Sequence, residues 1–149
     1  MTSLSPSNPV PLANDIRPRG RRGGSWRVAG DLPLSLRYAA QGLAHGFLTQ
    51  RNFRIHAVVG VLVFSLGIWL RLSPDRLAVL VLTVAAVLVL ELINTAIESV
   101  VDLAIGRRFH PLARIAKDCA AAAVLVAALA SLAIALLLLL PPLLVALGL

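Results

Sequence analysis

Three long apolar stretches, parted by two short polar breaks, fill the chain from Ile55 to Leu140. The first, Ile55 to Leu72, is just long enough for a helix to cross a hydrocarbon core of about 30 Å. Ser73-Pro74-Asp75 separates it from the second, Leu77 to Ile105, and Gly106 to Pro111 separates that from the third, Leu112 to Leu140. Cys119 to Leu140 carries no charge, which no soluble fold readily explains. Pro141-Pro142 is expected to stop the third helix, because proline lacks the amide hydrogen and crowds the preceding turn. The pattern predicts transmembrane helices over 53–72, 77–105 and 111–140, with a short tail at 143–149.

Ahead of these spans, Leu36, Ala39, Ala40, Leu43 and Phe47 recur at helical spacing, with Arg37 and Gln41 off that stripe. Asp31 as cap and Pro33 in the first turn mark a helix start. The segment is too polar to span, so an amphipathic helix in the membrane interface is predicted over 32–49. An ordinary packing helix is the compatible alternative. Residues 1–30 are rich in Pro, Ser, Gly and Arg with no hydrophobic period. They read as a disordered basic cytoplasmic tail that touches anionic lipid, or as a mere solvated extension. They contain no apolar run of the kind a cleavable signal needs. No repeat of fixed period is present. The expected architecture is all-α: one membrane domain over 31–142, made of an interfacial helix and three spans.

Composition agrees. Of 149 residues 58 % are hydrophobic and 14 % charged, against about a quarter charged in soluble domains. The formal net charge is +7. The arginines flank the apolar runs instead of forming a basic domain, and aromatics are sparse, so a membrane surface is the expected partner and nucleic acid is not. Cys119 is the one cysteine, which excludes an intrachain disulfide. Arg37, Arg51 and Arg54 lie before the first span, and Arg107, Arg108, Arg114 and Lys117 lie around the second break; the first break has only Arg71 and Arg76. The N-terminus and the second loop are therefore expected on the cytoplasmic side.

The second span ends in Glu91-Leu92-Ile93-Asn94-Thr95-Ala96-Ile97-Glu98-Ser99-Val100-Val101-Asp102. With Glu91 at zero and about 100° per residue, Asn94 falls at about −60°, Glu98 at about −20°, Asp102 at about +20° and Thr95 at about +40°. All five share one narrow face, while Leu92, Ile93, Ile97 and Val100 form the face suited to lipid or helix packing. A carboxylate at the centre of a spanning helix costs about 2.5–3.5 kcal/mol on insertion scales. Intramembrane ionisable groups therefore mark a functional site by default. A polar clamp between helices is the alternative for Asn94 and Thr95, and a poor one for Glu91 and Glu98.

Lys117-Asp118 opens the third helix, and Lys117 is the one lysine of the chain. Its ammonium is placed to pair with the carboxylates of the second span or to hold a phosphate; the alternative is a lysine that snorkels to the interface. Ala120 to Ala123 would let a neighbouring helix approach closely. Carboxylates, an amide and a lysine at the mouth of a bundle suit phosphoryl transfer, which needs hard oxygen ligands for Mg²⁺, a cation on the phosphates and a base at an alcohol. No Walker loop, glycine-rich fingerprint or protein-kinase catalytic loop is present. From the residues alone, a kinase, an intramembrane ion or proton carrier and a non-catalytic scaffold all remain open.

Four stretches resemble a known family, the small prokaryotic diacylglycerol and undecaprenol kinases: Tyr38-Ala39-Ala40-Gln41-Gly42, Arg51-Asn52-Phe53-Arg54-Ile55-His56, Glu91 to Asp102, and His110-Pro111-Leu112-Ala113-Arg114-Ile115-Ala116-Lys117-Asp118. The likeness covers about Leu32 to Leu140. It implies a homotrimer in the bacterial cytoplasmic membrane, with active sites shared between subunits, that moves the γ-phosphate of ATP to a lipid hydroxyl with Mg²⁺. Carried over by position, Glu91 is the implied catalytic base and Glu98 the implied metal ligand, in contact with the nucleotide. Asn94 lines the site, with Thr95 and Asp102 on the same face. Lys117 and Asp118 match nucleotide contacts, joined by Tyr38 and His110. Where the family has a second metal-binding glutamate, this chain has Gln50, an oxygen ligand without charge. The Arg-Asn-Phe-Arg-Ile-His and His-Pro-Leu-Ala-Arg stretches look more like the undecaprenol-kinase branch. For His45 and His56 two readings are open, residues of the site and packing or interface residues, and the second is the expectation.

Overall fold

A computed structural model describes residues 32–106 and 108–148; the expectations for the basic tail, for Asp31 as a cap and for Arg107 lie outside them. Four helices follow one another: α1 (Leu32–Thr49), α2 (Arg51–Trp69), α3 (Pro74–Ile105) and α4 (Pro111–Ala146). The described residues contain no strand. The last three helices are long and apolar enough to cross a membrane. A division between two compact units falls inside α1, after Leu36; the packing of the helices belongs to the second unit.

A single residue separates α1 from α2. Gln50 is extended, with φ −96° and ψ 115°, so the chain bends there and restarts helical at once. Arg54, in the first turn of α2, donates from Nη1 to the carbonyls of Phe47 and Leu48 at 3.2 and 3.1 Å. That satisfies acceptors which the end of α1 would leave bare. Leu43 and Phe47, from the predicted stripe of α1, are exposed, whereas Gly46 is buried against Leu92 and Phe53.

The turn after α2 closes with Leu72 N–H donating to the Gly67 carbonyl at 3.0 Å and Arg71 N–H to that of Ile68 at 2.9 Å. This is the Schellman arrangement, in which glycine usually takes the left-handed position. Here Arg71 does, at φ 54°. Ser73 and Pro74 then start α3, the proline in the first turn where its missing N–H is not needed. α3 has 32 residues, about 48 Å at 1.5 Å per residue. It outruns a hydrocarbon core of about 30 Å, so its last turns stand in the interface.

α4 differs from the prediction. Pro141 and Pro142 do not stop it; they lie inside a helix of 36 residues that ends at Ala146. A proline's φ is already helical, and the loss is confined to the bonds that the Leu137 and Leu138 carbonyls would have received. Helices in membranes tolerate that where neighbouring groups re-satisfy the backbone. The expected tail at 143–149 is thus largely the last turn of α4.

Phe53, Gly60 and Gly67 are the buried residues of α2, one every seven positions; the two glycines lie in the seam against α3, and Phe53 lies against Gly46 of α1. A Cβ on Gly60 would overlap the Val84 side chain, and one on Gly67 would crowd Leu77, Leu72 and Leu80. Leu72, Leu80, Ala135 and Leu139 form the closed apolar core at the end of the bundle near the α2–α3 turn. The opposite end, where α3 carries its carboxylates, is not closed this way.

Candidate active site

Burial along the polar stripe of α3 falls towards its C-terminus. Glu91 is 3 % exposed and Thr95 is buried; Asn94 and Glu98 are half-buried and Asp102 is exposed. Counted from Leu77, Glu91 lies about 21 Å along the helix and Glu98 about 32 Å, the one inside the core and the other at its edge. The hydroxyls of Thr95 and Ser99 turn back onto the helix, donating to the carbonyls of Glu91 (2.9 Å) and Thr95 (2.8 Å).

The carboxylate of Glu91 receives no hydrogen bond from the described residues. Its nearest partner is His56 of α2, whose Nε2 lies 3.6 Å from Oε1. Asn94 Nδ2 donates to Glu98 Oε1 at 3.2 Å. The other end of the same amide, Asn94 Oδ1, is buried without a partner. His56, Glu91, Asn94 and Asn52 line a cavity of about 200 Å³, closed from the α4 side by Ala121, Val124, Leu125 and Ala128.

A second cavity, about 400 Å³, opens where α3 ends and α4 begins; Asp102, Arg108, His110, Arg114, Lys117 and Asp118 border it. Lys117 Nζ donates to Asp102 Oδ1 at 2.5 Å. Arg114 Nε lies 3.5 Å from Asp118 Oδ2 one turn along. His110 caps α4, its Nδ1 accepting from the Leu112 N–H at 3.2 Å. This end of the site is cationic and open, suited to an anion larger than a single phosphate.

The residues singled out from the sequence therefore divide. Glu91 and Asn94 share the inner cavity; Asp102, His110, Lys117 and Asp118 share the outer one. Glu98 borders neither and is tied to the inner group through Asn94. Thr95 borders neither cavity. Tyr38 stands on α1, 54 % exposed, and Gln50 is half-buried at the joint. Among the described residues no three His, Cys, Asp or Glu side chains converge on one point as a metal cage would require. Of Ala120 to Ala123 only Ala120 is buried within the chain.

His56 and Asn52 are the residues that reading the sequence undervalued. The spacing carried only an approximate signal: His56 lies 14 residues before Leu70 and Glu91 18 residues after Ser73, so an antiparallel helix pair brings them within about one turn of the same level.

The family described as prokaryotic diacylglycerol kinase matches residues 37–139. A diacylglycerol kinase of Synechocystis sp. is 50 % identical over 135 residues, which cover 91 % of this chain and 77 % of that one. An undecaprenol kinase of Bacillus subtilis is 42 % identical over 106 residues, covering 71 % of this chain and 85 % of its own. A diacylglycerol kinase of Escherichia coli is 36 % identical over 90 residues, covering 60 % and 73 %. The reading as an ion carrier finds no support in these relatives. With its carboxylate stripe, its three apolar spans and these matches, the chain belongs to the prokaryotic diacylglycerol kinase family of membrane-embedded lipid kinases.

Proposed function

We propose that this protein transfers the γ-phosphate of ATP to the hydroxyl of diacylglycerol or undecaprenol, with Mg²⁺, at the cytoplasmic side of a bacterial membrane. The observation that carries the reading is the stripe of α3: a buried carboxylate, Glu91, leads by way of Asn94 and Glu98 to Asp102, which is paired with Lys117.

Burial suits Glu91 to a membrane lipid, whose hydroxyl approaches from the bilayer. Glu91 accepts the hydroxyl proton as the alcohol oxygen bonds to the γ-phosphorus and the bond to the ADP oxygen breaks. Asn94, fixed by its bond to Glu98, lines the same cavity with its free carbonyl oxygen. Lys117, beside Asp118, Arg108 and Arg114, holds the phosphates. Tyr38 and His110 join it as nucleotide contacts.

The donor set fits Mg²⁺, which takes few protein ligands and completes its shell with phosphates and water. Glu98 would supply a carboxylate oxygen and Gln50 an uncharged carbonyl. When bound, the ion offsets charge on the phosphates undergoing transfer. The positive-inside count supports the orientation, and the uncovered Ala121 to Ala123 supports a homotrimer in which a neighbouring helix packs there.

The test is direct. Purified protein in mixed micelles with either lipid, Mg²⁺ and γ-labelled ATP should yield labelled lipid, and Glu91→Gln or Glu98→Ala should each cut it by orders of magnitude. Folded protein that labels neither lipid would overturn the reading.

A further inference from the structure

Glu91 must be aimed as well as present, and nothing on its own helix aims it. Thr95 bonds its backbone carbonyl and Asn94 turns to Glu98. A carboxylate free to rotate about its terminal bonds presents the wrong oxygen much of the time.

The side chain that meets it comes from α2. His56 Nε2 is 3.6 Å from Glu91 Oε1, with the imidazole 28 % exposed and the Glu91 side chain 4 %. That separation lies just beyond a hydrogen bond; in structures without substrate, catalytic contacts are commonly long and tighten when the complex forms. The two helices are held close here, where Gly60 packs against Val84. Gly60 lies one turn from His56, and Val84 two turns from Glu91. His56 also borders the apolar groove of about 280 Å³ between α2 and α4, with Val59, Gly60, Ala128 and Ser131. It therefore stands where that groove meets the polar cavity.

We infer that His56 is a positioning residue of this kinase: its Nε2 holds one oxygen of Glu91, so that the other faces the lipid hydroxyl. The role rests on the proposed lipid-kinase activity. It needs no charge on the imidazole, since a neutral ring protonated at Nε2 donates as well.

His56→Leu keeps the bulk and removes the donor. In mixed micelles kcat should fall about 100-fold, the scale of a misplaced reacting group, with KM for ATP and for lipid little changed. His56→Gln, which restores a donor near the same place, should recover most of the loss. In a Glu91→Gln background, His56→Leu should lower the residual rate no further, because the group it aims is gone. Gly60→Leu, which pushes α2 from α3 one turn from His56, should reproduce the kcat loss. Thermal melting in detergent checks that each variant is folded. Wild-type kcat in His56→Leu, a rise in lipid KM alone, or a full further loss in the Glu91→Gln background would each overturn the inference while leaving the kinase reading intact. A wild-type protein that labels no lipid would overturn both.

Discussion

Gly60 and Val84 leave no room between them: a side chain carbon on the glycine would overlap the valine. This crossing of α2 and α3 sets the spacing of the layer above it, where His56 meets Glu91. The glycine is required by the close approach, since its backbone is ordinary helix.

Substitution there should be costly. Forcing a larger residue into a packed seam costs about 1–3 kcal/mol, and Val84 is β-branched, with little rotamer freedom to yield. Gly60→Leu should lower the thermal midpoint in detergent clearly. A midpoint equal to wild type would mean that the seam is looser than described.

Asn94 should separate stability from activity. Its Oδ1 is buried with no partner, an arrangement that costs about 1–3 kcal/mol, while its amide gains one bond to Glu98. Asn94→Leu exchanges both for apolar contact and should leave the melting temperature unchanged or raised. Lipid phosphorylation should nonetheless fall sharply. A destabilised but fully active variant would contradict the assignment of that oxygen to the site.

Lys117 and Asp102 should behave unequally although they are paired. Both are partly exposed, 37 % and 62 % by side chain, and such pairs contribute about 0–1 kcal/mol. Asp102→Asn should scarcely move the melting curve. Lys117→Met removes the cation assigned to the phosphates, so KM for ATP should rise about tenfold or more, from the loss of a charge-assisted bond. Equal effects of the two variants on ATP use would argue that Lys117 serves the bridge alone.

Arg71 offers a control far from the chemistry. A left-handed conformation costs a non-glycine residue about 1–2 kcal/mol, and glycine's greater freedom when unfolded takes back about 0.5–1 kcal/mol. Arg71→Gly should therefore raise stability by several tenths of a kcal/mol to about 1 kcal/mol, with kinase activity unchanged.

Much of this was readable in advance, and for physical reasons. Long apolar runs leave a chain no choice but to span, and the period of 3.6 puts Glu91, Asn94, Glu98 and Asp102 on one side without reference to any neighbour. What crosses between helices was harder. Lys117 was expected near the stripe and is found on Asp102, whereas His56 was given a packing or interface role ahead of a place in the site and is found beside Glu91. A histidine in an apolar run carries no periodic signature; only the level at which two antiparallel helices pair reveals it. Pro141 and Pro142 misled in the other direction. Their effect was judged by the rule for water, where a broken helix finds other bonds, and α4 continues to Ala146.

The one-residue joint at Gln50 makes chain length at that point a mechanical specification. α1 and α2 share no slack, so inserting a single residue there would change the direction in which α1 leaves α2, break the bonds from Arg54 to the end of α1 and turn Leu43 and Phe47 off the face they now present. A greasy edge meant for the bilayer surface would then face water, whatever side chains were chosen. The joint is where this protein should refuse insertions.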